Sequence, residues 1–290
     1  MGFGIIVFLA VIIGVLGSPG VTSRPEAAAS ADVSAHPNSV PETPEIFGQE
    51  KVLVLEEVEE DVMMTGELNP NQYPAQRAAK VVQHYLNTCY GSPYRVIGLN
   101  RVHSGNAQDV TDSGRKFQLE ISVQDFISNK TEKCSAEVFF PSGGQQRSPQ
   151  VHASCEELPK INTQAQEEAL YQKYKTNQSR LSAELPDSFG HIDPDMEPLW
   201  HLGTVASSFI MLNESTENTL YNMAQVANIT QLATENEQLK FDYHILLHEM
   251  VSQEIIHWKL LFTWSPPAGV KVLQMEQLPH SHHHEPLNTR

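Results

Sequence analysis

With 290 residues, 40% of them hydrophobic, the chain can build one large domain or two small ones around real cores. A formal net charge of −16, offset by no Lys/Arg cluster, argues against a binder of phosphate backbones and favours solubility and basic partners. Three cysteines are too few for a disulfide-built scaffold.

Residues 2–17 are uncharged and apolar. They fall short of the ~20 residues that a spanning helix needs. Their length fits the apolar part of a secretory signal, with Val15-Leu16-Gly17 as a small-residue exit, although no basic residue precedes them. The expectation is a signal peptide over 1–17, removed before Ser18 or after Ser23, and a secreted product. A retained anchor over 2–17 is the alternative, and the membrane is a partner only in that case. Residues 18–66 are rich in Pro, Ala, Ser and Glu and read as a disordered acidic linker. Within it, Lys51–Asp61 mixes a short apolar run with an acidic one, so an added edge strand or a docking segment is an option beside a plain tail.

Asn69 or Asn71 can cap a first helix, with Pro74 in its first turn. Ala78, Val81, Val82, Tyr85, Leu86 and Cys89 keep helical spacing, and Gly91-Ser92-Pro93 stops the run. Four strand-like runs follow, over 94–103, 115–126, 134–140 and 150–155. The last two flank the turn signal Pro141-Ser142-Gly143-Gly144. A hairpin paired about Gly144 and Gln145 puts Cys134 opposite Cys155, so a disulfide is expected in an oxidising compartment, with two buried free thiols as the alternative, and Cys89 is left buried on the helix.

Thr163–Ser182 reads as a helix with Ala169, Leu170, Tyr174 and Leu181 on its buried stripe. A turn-rich stretch precedes a second apolar helix from Leu199, and four more strand runs cover 219–231, 239–248, 254–264 and 270–276. Helix-then-four-strands therefore occurs twice, a repeat in pattern with little shared identity. Each helix should lie across a curved antiparallel sheet. The units expected are 67–160 and 186–278, with a connecting helix over 161–185 and a His-rich tail over 279–290.

The sharpest pattern is Phe241–Trp264. Phe241, Tyr243, Ile245 and Leu247 alternate on one strand, and Ile256, Trp258, Leu260, Phe262 and Trp264 on the next. The polar break between them fits a hairpin tip, with His248 and Gln253 at its shoulders. His248-Glu249 begins an HExxH pattern, but position 252 is Ser, so catalytic zinc is not expected. No GxSxG elbow or P-loop occurs, and neither an enzyme nor a cofactor is expected. The tail histidines His280 and His282 to His284 can bind metal weakly, although a solvated tail is the plainer reading.

Four stretches carry a resemblance: Asn71-Gln-Tyr-Pro-Ala-Gln-Arg-Ala-Ala79, Lys133-Cys-Ser-Ala-Glu-Val-Phe-Phe-Pro141, Pro186-Asp-Ser-Phe-Gly-His-Ile-Asp-Pro194 and Leu246-Leu-His-Glu-Met-Val-Ser-Gln-Glu-Ile-Ile256. In order and spacing they resemble the latexin family, across about Leu68 to Leu278. The signal-like start and the Cys134/Cys155 pair look like its secreted or membrane-associated responder branch, and the Phe140–Gln145 turn looks like latexin itself. The resemblance implies an α+β chain of two tandem cystatin-like units joined by a helix. It also implies an inhibitor of zinc metallocarboxypeptidases of the A/B type; a monomer is expected. In such a protein the tip His248, Glu249, Met250, Val251, Ser252, Gln253 and Glu254 would enter the enzyme, with Gln253 toward the zinc, His248 beside it and Glu249 as an exposed rim charge. His257 stands where related sequences tend to have Pro, so pairing is expected to run further toward the tip. Cysteine-protease inhibition would need a QxVxG turn, where this chain has Gly143-Gly-Gln-Gln-Arg147. The alternative is an extracellular or membrane-associated interaction or matrix protein that keeps the fold without inhibition. Sequons at Asn129, Asn177, Asn213 and Asn228 fit passage through the secretory pathway.

Overall fold

The computed structural model describes residues 65–111, 113–143, 148–176, 184–187 and 189–279. The signal-like start, the Lys51–Asp61 stretch, the hairpin turn at 144–147, Asn177, Leu181 and the tail histidines lie outside them. Within them the order is β1 (Gly66–Leu68), α1 (Tyr73–Tyr90), β2 (Ile97–Val110), β3 (Gly114–Asp125), β4 (Thr131–Pro141) and β5 (Gln150–Ser154). Then come α2 (Gln164–Thr176), α3 (Glu197–Glu214), β6 (Tyr221–Glu235), β7 (Gln238–Glu249), β8 (Glu254–Ser265) and β9 (Gly269–Gln277). The chain is a mixed α+β protein with two antiparallel sheets, ordered β1-β2-β3-β4-β5 and β6-β7-β8-β9.

Strand alternation becomes burial alternation. Along β7 every second side chain is buried, Phe241, Tyr243, Ile245 and Leu247 among them. These pack with Leu199, Leu202, Ala206 and Ile210 of α3 and with Leu170, Tyr171 and Tyr174 of α2. A second cluster joins Ala75, Ala79, Val82 and Leu86 of α1 to Phe117, Leu119, Ile121 and Val138 of the first sheet. At α3 a Cβ on Gly203 would stand 2.7 Å from Val226 Cγ2, so only glycine lets the helix lie this close to β6.

Each sheet is bent by bulges at matching places. The β2–β3 register shifts between Leu99 and Arg101 and again between Val102 and Ser104. The β6–β7 register shifts between Met223 and Gln225 and again between Val226 and Asn228. An extra residue in one strand bends it, which lets a sheet wrap the helix lying on it.

Several expectations change. The first sheet has a fifth strand, β1, paired Gly66↔Ala107 to Leu68↔Gly105; a three-residue edge strand carries too little alternation to read. The residue entering α1 is Gln72, because Asn69 accepts the N–H of Asn71 (3.0 Å) and turns the chain earlier. Cys89 is exposed, not buried. The buried arc of α1 starts at Ala75, Ala78 and Ala79 but turns toward Leu86 and Asn87 in the last turn, leaving Cys89 at its edge. In α2 the inward residues are Glu167, Leu170, Tyr171 and Tyr174, and Ala169 is exposed. Tyr171 takes the inner place because its hydroxyl reaches the carbonyl of Glu237 at 2.6 Å.

Cys134 and Cys155 are bonded, with Cα atoms 4.8 Å apart. The β4–β5 register, Ser135↔Ser154 through Phe139↔Gln150, continues directly to this pair.

Candidate functional site

The β7–β8 ribbon pairs in unbroken register from Leu239↔Trp264 to Glu249↔Glu254, so it does run to its tip past His257. The loop Met250–Gln253 closes it. Val251 (49% exposed), Ser252, Gln253 and Glu254 face solvent. His248 and Met250 are half buried, and Asn222 of β6 donates its amide N–H to Met250 Sδ.

Glu249 departs most from expectation. It is 6% exposed, not a rim charge. Its Oε1 accepts the N–H groups of Leu220 (2.9 Å) and Val251 (3.1 Å), and its Oε2 accepts that of Ser252 (2.6 Å). Burial by itself would raise its pKa. The backbone N–H groups of Leu220, Ser252 and Val251, with the Ser252 hydroxyl, outweigh burial and hold the carboxyl below its usual range. Met250 N–H also bonds Leu220 O at 2.9 Å. One carboxylate therefore fixes the tip to itself and to the residue before β6. His248-Glu249 sits at a strand end with its carboxylate oxygens already taken, which is not the helical setting of an HExxH zinc site.

Gln253 has φ +61°, in the left-handed region that favours Gly or Asn. Its Nε2 folds back to donate to Met250 O. The amide expected to face a zinc site is thus at the tip surface, tied by this single bond.

The first sheet carries the same device. Asp125, at the end of β3, is 0% exposed. Its Oδ1 accepts the N–H of Val96 (3.1 Å) and its Oδ2 accepts the N–H and hydroxyl of Ser128, the former at 3.1 Å. Phe126 N–H bonds Val96 O at 2.9 Å, as Met250 bonds Leu220. Asn129 has φ +56°, as Gln253 has +61°. Val96 and Leu220, Asp125 and Glu249, Ser128 and Ser252, Asn129 and Gln253 keep one constant spacing. The signal was present as Asp125-Phe-Ile-Ser128 against Glu249-Met-Val-Ser252, an acid ending a strand three residues before a serine.

The sequons differ in setting. Asn129 stands at the first tip, exposed, and Asn228 is exposed on β6. Asn213 lies in the last turn of α3, where its Oδ1 accepts the Ser148 hydroxyl at 2.6 Å. Its partner Ser215 is buried and donates to Met211 O.

A family model described as Latexin matches residues 68–282, which includes the tip and every stretch of resemblance quoted above. Human latexin is 36% identical over 215 residues, spanning 73% of this chain and 97% of that protein. Human retinoic acid receptor responder protein 1 is 31% identical, spanning 68% of this chain and 70% of its own. Ovocalyxin-32 of Gallus gallus is 30% identical, spanning 70% and 75%. Among solved structures, mouse fetuin-B matches over 74% of this chain and 70% of its own, at 14% identity and a TM-score of 0.25.

Proposed function

The chain belongs to the latexin family, and on that ground we propose that it is a non-enzymatic inhibitor of zinc metallocarboxypeptidases of the A/B type. It would act as two tandem cystatin-like units, 67–160 and 186–278, with 161–185 as the connecting helix. The observation that supports this reading most directly is the short β7–β8 tip, held in one shape by Glu249. A metallocarboxypeptidase keeps its metal at the bottom of a funnel. A tip already ordered loses little entropy on entering it, and paired strands cannot take up the extended shape of a substrate C-terminus. Gln253 would exchange its bond to Met250 for contacts near the metal-bound water. A neutral amide can do this without a charge to desolvate. His248 would flank it, and Glu254 would stay at the rim, where a charge mainly affects the association rate. Glu249 acts as a positioning residue. Secretion of a glycosylated monomer, with residues 1–17 removed, belongs to the same reading; N-terminal sequencing of secreted protein should begin at Ser18.

The test is inhibition of carboxypeptidase A, with circular dichroism to show that each variant is folded. Gln253→Ala should weaken inhibition by ~1–3 kcal/mol, the scale of one lost buried polar contact. Equal inhibition by Gln253→Ala and the unaltered chain would remove the tip assignment. No inhibition by either would put a second reading first, an extracellular or membrane-associated interaction or matrix protein with the same fold. That reading is favoured by the likeness to the responder protein and to ovocalyxin-32, and by the net charge of −16.

A further inference from the structure

Two histidines meet on the outward face of the β7–β8 ribbon. His244 and His257 sit on adjacent strands one step off the direct pair, since Lys259 is opposite His244 and Leu246 opposite His257. His244 Nε2 lies 3.1 Å from His257 Nδ1, with ring centroids 5.1 Å apart and planes at 46°. Both rings are half buried. The charged and polar groups around them are few. Lys259 is paired with Asp242 at 3.3 Å. From β6, Asn228 is opposite His244, and from β9, Glu276 is opposite Lys259. His248 is on the same face of β7, and the backbone N–H of Leu278 bonds the carbonyl of His257 at 2.8 Å. Burial, then the neighbouring His257, push the pKa of His244 down.

Two imidazole nitrogens this close can share one N–H···N bond, or both can turn their lone pairs to one ion. Zinc–imidazole bonds of about 2.0–2.1 Å, at angles between square and tetrahedral, put two ligand nitrogens about 2.9–3.3 Å apart. The observed separation lies inside that range. Imidazole pairs suit zinc, copper and nickel rather than magnesium or calcium. We propose that His244 and His257 form a two-imidazole site for a divalent transition-metal ion, with Zn²⁺ as the probe. Among the described residues no third carboxylate, thiol or imidazole converges on the pair, so water completes the coordination and the site is open. It stands on these two side chains and is independent of any carboxypeptidase.

The four tail histidines must first be removed as competitors. The protein to titrate is the full chain with His280, His282, His283 and His284 each changed to Ala. Calorimetry with ZnCl₂ at pH 7.5 should show one ion per chain. Histidine ring ¹H–¹⁵N spectra should shift at His244 and His257. His244→Gln or His257→Gln should weaken binding at least tenfold with an unchanged circular dichroism spectrum, and binding should fade in acid, because a ligating imidazole must be deprotonated. Undiminished binding in both variants, ring shifts confined to other histidines, or no saturable binding in the tail-altered chain would each overturn the site.

Discussion

The tips of β3–β4 and β7–β8 share one lock and differ in what it displays. Each ends a strand with a buried carboxylate that gathers the N–H groups of its own loop and of the residue just before the preceding strand, Val96 before β2 and Leu220 before β6. Around that lock the side chains diverge. In the first, Phe126 (56% exposed) lies over Gly98, where an added Cβ would sit 2.0 Å from its ring, and Asn129 offers a glycan acceptor at the left-handed position. In the second, Asn222 replaces the bare glycine, Met250 replaces the ring, and Gln253 presents an uncharged amide. The lock therefore belongs to the fold, and the loop side chains separate one tip's role from the other's.

The two tips should differ most when their carboxylates are removed. Asp125→Ala strands several buried donors and should cost roughly 3–5 kcal/mol. Glu249→Ala, at a tip nearer solvent, should cost about 2 kcal/mol. Urea unfolding of both variants measures this, and equal losses would mean that the locks are equally buried in solution. On the proposed function, only Glu249→Ala should also weaken carboxypeptidase inhibition.

The halves differ next in covalent support, since the first alone carries a disulfide. Changing Cys134 and Cys155 together to Ser should remove about 3 kcal/mol. Calorimetry should then split into an early first-unit transition and a later second one. A single shifted transition would show that the halves unfold together.

His84 on α1 makes stability depend on pH. It is 1% exposed, and burial, then the charge of Lys80, hold its pKa well below 6.5 against a weak opposing pull from the backbone of Tyr221. The unfolded chain therefore takes up this proton first. The contribution of His84 is complete above pH ~6.5 and is lost as pH falls toward its folded value, at up to ~1.4 kcal/mol per pH unit. His84→Leu should flatten that slope in stability measured from pH 7 to 5. An unchanged slope would place the acid sensitivity elsewhere.

The smallest effect returns to the tips. Gln253→Gly relieves a positive φ and should stabilise by about 1 kcal/mol, while Asn129→Gly should gain less, because Asn already tolerates that region. Equal melting-temperature shifts in the two variants would contradict this.

Much of this was legible in the sequence because period-two alternation survives wherever one sheet face is buried. Phe241–Trp264 gave its strands and its partner face directly, and the Cys134–Cys155 register followed from one turn. What stayed hidden depended on groups meeting across the fold. Glu249 looked like an exposed charge because the meeting of three N–H groups on one carboxylate is set by the fold, and its only trace in the sequence is the acid-to-serine spacing shared with Asp125. Cys89 kept helical spacing, but the buried arc rotates along α1. The His244–His257 contact is diagonal across two strands, and no spacing within either strand reports it.

A hairpin tip held only by its own two strands bends like a cantilever, most easily at its free end. The bond from Leu220 to Glu249 adds a third leg, so sideways load passes into the start of β6 as well. The tip is then a tripod, stiffer under load than two strands alone. Its stiffness depends on charge. Protonating Glu249 in acid weakens the strut and leaves the strands paired, so the tip should become compliant before the sheet beneath it yields.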